Sequence, residues 1–252
     1  MTLQTLLNLS LPCLLITLSS CAGKSKKNEE HRSALVPHEA ITRAQARYLV
    51  DVRSVAPDIV CDLRYATSDN ITGEPLYPRD MPCLLLASTA QKLRHAQESL
   101  RLQGYGLKIW DAWRPPEVQQ TLFDHGGYTG MFTDPGIMWS RHCSGTAVDV
   151  TLVDASGHEL KMPTKFDGGG PQCSYIAEVK DDEIRKRRYA LQVAMMAAGF
   201  SILETEWWHF DDSDFNAGGV PPAIFAGEVG IALPVVKPPR VRRGPPTYQG
   251  RQ

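Results

Sequence analysis

Two short segments, far apart in the chain, have to meet at one point. The first is Ser140-Arg-His142-Cys-Ser-Gly-Thr-Ala-Val-Asp149 and the second is Glu206-Trp-Trp-His209. Together they hold two imidazoles, one carboxylate and a spare glutamate. Catalytic zinc takes three protein nitrogen or oxygen ligands and keeps a fourth position for water, whereas structural zinc is closed by four ligands, mostly thiolates. His142, Asp149 and His209 would fill three places around one Zn²⁺ per chain, leaving Glu206 to take the water's proton. Any fold of this chain must bring the two segments together.

Local patterning says how. From Ala147 to Leu152 the residues alternate, with Val148, Val150 and Leu152 on one face of a strand and Asp149 and Thr151 on the other. Asp149 therefore points away from the apolar core, and a carboxylate held there needs a partner, which a metal supplies. Gly145, between His142 and Asp149, suits a tight loop that returns the imidazole towards the same ion. Glu206 and His209 are three apart, a spacing that a regular strand sends to opposite faces, so the backbone must turn or bulge between them. At least one of Trp207 and Trp208 is expected in the core. Cys143 beside His142 does not make a nucleophile pair, because adjacent side chains of an extended segment point apart.

Helical signals surround these strands. Leu86, Leu93 and Leu100 recur with Ala90 and Ala96 between them and Gly104 after them, predicting a helix with one buried stripe. Leu107 to Trp113 reads as a strand. Pro115-Pro116-Glu117 opens a second helix, since proline is tolerated in a first turn where its missing N–H has no partner to lose. Asp181-Asp182-Glu183 places negative charge at the start of a third helix that runs to Ala198 and stops at Gly199. Helices alternate with strands without strict βαβ order, so the class is α+β, one domain over 46–233.

The ends read differently. Residues 1–20 carry no charge and include an apolar run from Leu6 to Leu18, of export-signal length and short for a membrane span. Leu18-Ser-Ser-Cys21 resembles a bacterial lipobox, so Cys21 is expected to be lipidated and to hold the protein on a membrane facing the periplasm or cell envelope. A cleaved secreted form and an uncleaved anchor are the other readings, and all three export the domain. Residues 21–45 are expected as a polar tether, and 234–252, rich in Pro and Arg, as a disordered tail. A formal net charge of −1 gives no argument for nucleic acid. With export, one or two disulfides among Cys61, Cys83, Cys143 and Cys173 are expected.

The motif Ser140-x-His142-x-x-Gly145-x-Ala147-x-Asp149 with Glu206-x-x-His209 resembles the zinc D,D-peptidases of the VanX type in peptidase family M15. These are the D-alanyl-D-alanine dipeptidases, related to zinc D,D-carboxypeptidases and to the signalling domain of Hedgehog proteins. Asp62-Leu-Arg-Tyr65-Ala-Thr, Asn70-Ile-Thr-Gly73, Trp110-Asp111-Ala-Trp-Arg114-Pro115 and Phe166-Asp167 match the dipeptidase branch, in the family's order. The resemblance implies a small central antiparallel sheet flanked by helices. It implies zinc on His142, Asp149 and His209, Glu206 as general base and Arg114 as oxyanion donor. Asp167 with Tyr65 would hold the dipeptide's ammonium, and Ser140 would help receive its carboxylate. Gly168-Gly169-Gly170 departs from the family's more polar loop. A D,D-carboxypeptidase or endopeptidase acting on peptidoglycan stem peptides is the nearest alternative, and a zinc-stabilised binding module the next. Glu206 and Arg114 argue against the module, which needs neither a base nor an oxyanion donor.

Overall fold

The computed structural model describes residues 38–126 and 130–235. The stretch expected as an export signal, Cys21 and the tail beyond Val235 lie outside the described residues. Within them the chain is α+β, with four α-helices and seven strands. Helix α1 (His38–Gln45) falls inside the stretch expected as tether, and its Ala40 and Ala44 are buried, so this helix packs as part of the domain. Among the described residues no helix is long and apolar enough to cross a membrane.

The main sheet has five strands: β2 (Val60–Cys61), β4 (Gly106–Asp111), β5 (Ala147–Val153), β7 (Glu206–Asp212) and β6 (Phe200–Leu203), in that spatial order. Neighbours are antiparallel except the short edge strand β2, which runs parallel to β4. A separate antiparallel pair joins β1 (Leu49–Asp51) to β3 (Leu84–Leu86). Helices α2 (Ala87–Arg101), α3 (Pro116–Gly126) and α4 (Asp182–Ala197) form close to where the stripes and caps place them, except that Leu86, expected in the α2 stripe, ends β3 and caps the helix. Asp181 caps α4 by accepting from the N–H groups of Glu183 and Ile184, and Gly199 follows the helix with a φ of +93°.

The described residues form two apolar clusters. One joins Leu93 and Leu100 of α2, Leu191 and Met195 of α4, and Val148, Val150 and Leu152 of β5. The other gathers Tyr65, Tyr77, Trp113 and Phe132 around Val118 and Leu122 of α3. β5 is buried along its whole length, so the face bearing Asp149 looks into a walled site instead of open solvent. Both Trp207 and Trp208 are core residues, packed edge-to-face at 5.4 Å. The four cysteines are free thiols, contrary to the disulfide expectation, although Cys61 and Cys83 sit close enough to share a hydrogen bond. Spacing along a chain fixes no thiol-to-thiol distance, which is why the expectation failed.

Candidate metal and peptide site

β5 and β7 carry the site, and their register aligns it. Asp149 pairs directly with His209 across the ladder. The expected irregularity in β7 is present: Ile202 pairs with Phe210 while Leu203 pairs with Glu206, so Trp207 to His209 are extra residues on the β7 side. That bulge lets Glu206 and His209 line one cleft despite their spacing.

His142 arrives from a 3-10 turn, Arg141–Ser144, capped by Ser140, whose hydroxyl accepts from the His142 N–H. Gly145 closes the turn at a φ of +72°. A Cβ there would lie 2.6 Å from Leu49 Cδ2 and 2.9 Å from the Leu86 backbone nitrogen. Only glycine combines that backbone conformation with that approach.

The ligand atoms of His142, Asp149 and His209 all lie within 4.8 Å of one another, and all three residues are buried. His142 Nε2 is 3.2 Å from His209 Nδ1, which is 3.0 Å from Asp149 Oδ1. The remaining ring nitrogens are held from behind. His142 Nδ1 meets the Ala112 carbonyl oxygen at 2.7 Å, and His209 Nε2 meets Asp211 Oδ1 at 3.1 Å. With the outer nitrogen donating to each of these oxygens, the inward nitrogen would offer its lone pair to a metal, which is how metal-binding histidines are oriented. The set of two imidazoles and one carboxylate therefore fits a divalent metal of the zinc type. Burial pushes the Asp149 carboxyl up, but the neighbouring histidines, by charge and hydrogen bond, outweigh it and hold the group well below the carboxylate range.

Arg114 is buried, not part of a surface ion pair. It does pair with Asp111, its Nε donating to Oδ2 at 2.8 Å, but Asp111 is fully buried too. Nη1 donates to Gln119 Oε1 at 2.9 Å, and Nη2 lies 3.4 Å from Asp149 Oδ2. Tyr77 donates its hydroxyl to the other oxygen of Asp111 at 2.7 Å. The guanidinium also lies over the Tyr65 ring, 5.2 Å from its centroid. Sequence reading missed Asp211, Gln119 and Tyr77 as supports. Asp211 alone left a signal, standing two residues after His209 and so on the same side of a strand.

Arg114, Ser140, His142, Asp149, Asp167, Glu206 and His209 line one cleft of about 160 Å³. Tyr65 reaches it through Asp167, its hydroxyl donating to Oδ2 at 3.0 Å. Burial raises the Glu206 carboxyl to about 6 and, with Asp149 adding to it, the Asp167 carboxyl to about 8. Asp167 has a φ of +53°, an uncommon conformation for a residue with a side chain, and it leads directly into the three glycines.

Comparison with known proteins places this chain in a family. The family model described as D-ala-D-ala dipeptidase, Peptidase_M15, matches residues 45–225. A protein of Escherichia coli (strain K12) named D-alanyl-D-alanine dipeptidase is 32% identical over 163 residues, covering 65% of this chain and 83% of that protein. Proteins with the same name from Streptomyces coelicolor and Enterococcus faecium are 33% and 28% identical, each over 59% of this chain and 83% of its own length. The chain belongs to the peptidase M15 family of D-Ala-D-Ala dipeptidases, and it is a hydrolase.

Proposed function

We propose that this chain is a Zn²⁺-dependent dipeptidase that hydrolyses D-Ala-D-Ala, with His142, Asp149 and His209 as ligands of the single metal. The convergence of their three inward atoms on one point, in a cleft shared with Glu206 and Arg114, is the observation that carries the reading. When bound, Zn²⁺ supplies Lewis acidity that lowers the pKa of water and polarises the peptide carbonyl.

Glu206 is the general base. A carboxyl raised to about 6 is ionised at neutral pH yet basic enough to take a proton from the attacking water and return it to the leaving amine. Arg114 is the oxyanion donor: Asp111 and Gln119 fix its Nε and Nη1, so the guanidinium is already oriented when charge develops on the carbonyl oxygen. Asp167 takes the ammonium of the dipeptide. Buried, with the Tyr65 hydroxyl donating to it, this carboxyl gains a directly paired cation when the substrate arrives. Ser140, at the cleft wall, helps receive the substrate carboxylate.

The N-terminal reading supports an exported protein anchored through lipid on Cys21, facing the periplasm or cell envelope, with a small peptide as its partner and no nucleic acid.

The test is D-alanine release from D-Ala-D-Ala by the zinc-loaded protein, with L-Ala-L-Ala and N-acetyl-D-Ala-D-Ala alongside and Glu206→Ala as control. Hydrolysis of the free D,D-dipeptide alone, abolished in the variant, is the expected result. Preference for the acetylated peptide would move the assignment to a carboxypeptidase.

A further inference from the structure

The metal cleft has a large annex. A chamber of about 570 Å³ adjoins it and shares Met131, Asp167 and Glu206 with it. The cleft, at about 160 Å³, is smaller than the roughly 300–1,000 Å³ usual for small-molecule sites, and the chamber falls within that range. A substrate made of two alanines has no group that needs this space.

The walls say what would. Ile71, Met131 and Trp208 give apolar surface, and Gly168 to Gly170 present backbone without side chains. Gly169 has a φ of +65°, and a Cβ on it would lie 3.2 Å from Met131 Cε, so glycine at this position keeps the chamber clear. The acidic groups lining the chamber, Asp167 and Glu206, are both shared with the cleft. A ligand crossing from cleft to chamber therefore has its cation at the junction and an apolar group beyond it.

We propose that this chamber is a subsite for the side chain of the amine-bearing residue, so that the enzyme accepts D,D-dipeptides whose first residue is large and apolar, such as D-Leu-D-Ala and D-Phe-D-Ala. The inference rests on the dipeptidase reading, in which Asp167 holds the ammonium. That ammonium and the side chain branch from the same carbon, so fixing the one at the junction directs the other into the chamber. An N-acylated peptide would enter with a neutral amide and leave the buried Asp167 without a cation, which is why a side chain is the better occupant.

The experiment compares kcat/KM of the zinc-loaded full chain for D-Ala-D-Ala, D-Leu-D-Ala, D-Phe-D-Ala and N-acetyl-D-Ala-D-Ala, and repeats the series with Ile71→Trp. Ile71 is exposed and lines the chamber but not the cleft. The bulky dipeptides should be hydrolysed within about tenfold of D-Ala-D-Ala, and filling the chamber should cost them about 10–200-fold while D-Ala-D-Ala changes by about twofold or less. Cleavage of D-Ala-D-Ala with neither bulky dipeptide turned over overturns the subsite and leaves the dipeptidase standing. Turnover of the acetylated peptide, or an equal effect of Ile71→Trp on every dipeptide, also overturns it. No turnover of any free dipeptide overturns the dipeptidase reading itself, and the subsite falls with it. The wild-type series decides the matter even where the variant folds poorly.

Discussion

Asp149 and His209 face each other across the β5–β7 ladder, with Oδ1 and Nδ1 3.0 Å apart. Because the contact is set by strand register, both donors are positioned by the sheet before any metal arrives. The second imidazole nitrogen of His209 is held by Asp211, whose Oδ2 lies 3.5 Å from Arg141 Nε.

Removing that support should loosen the metal without removing a ligand. Asp211→Ala is expected to weaken Zn²⁺ binding about 10–100-fold, read by competition with a chromogenic chelator. An unchanged affinity would mean that the strand alone orients His209.

Arg114 should matter for stability as well as for rate. Arg114→Ala removes an oxyanion donor, which costs about 10²–10³ in kcat. It also strands the buried Asp111 carboxylate, at about 3–5 kcal/mol of folding stability. Arg114→Lys keeps the charge but not the fork to Asp111 and Gln119, so urea unfolding should recover more than kcat does.

Gly145→Ala tests the turn that delivers His142. The left-handed backbone alone costs about 1–3 kcal/mol for a residue with a Cβ, and the approach to Leu49 and the Leu86 nitrogen adds to it. Denaturant titration should show the loss, together with weaker Zn²⁺ binding. A stability within error of wild type would show that the turn relaxes freely.

Asp167 should make the metal-free protein less stable as pH rises. Its carboxyl sits near 3.8 when unfolded and at about 8 when folded, so between those values the native state holds a proton that the unfolded state has lost. Stability contributed by this group is fully present below about 4 and is lost as pH climbs to about 8. The difference in Tm between wild type and Asp167→Asn should therefore drift against wild type across that window; a constant difference would contradict the burial argument.

Much of this was legible in residue order. The alternation from Ala147 to Leu152 located β5 and the face bearing Asp149, and the charge and glycine signals located α4. The three-residue spacing of Glu206 and His209 required a bulge, because a pleated strand cannot turn both inward, and the ladder has one. Side-chain periodicity and capping act over a few residues, so a sequence states them directly.

What lay beyond it depends on neighbours remote in the chain. Nothing in the order of residues says that Arg114 is buried with Asp111 and Gln119, that α1 packs on the domain, or that Cys61, Cys83, Cys143 and Cys173 are free thiols. Nor does it show that the space beside Asp167 opens into an apolar chamber. The sequence by itself determined the donor set and the strands that carry it, since those follow from residue type and local period. Only the tertiary structure decided burial, pairing and empty volume, because each is a property of surfaces brought together by packing.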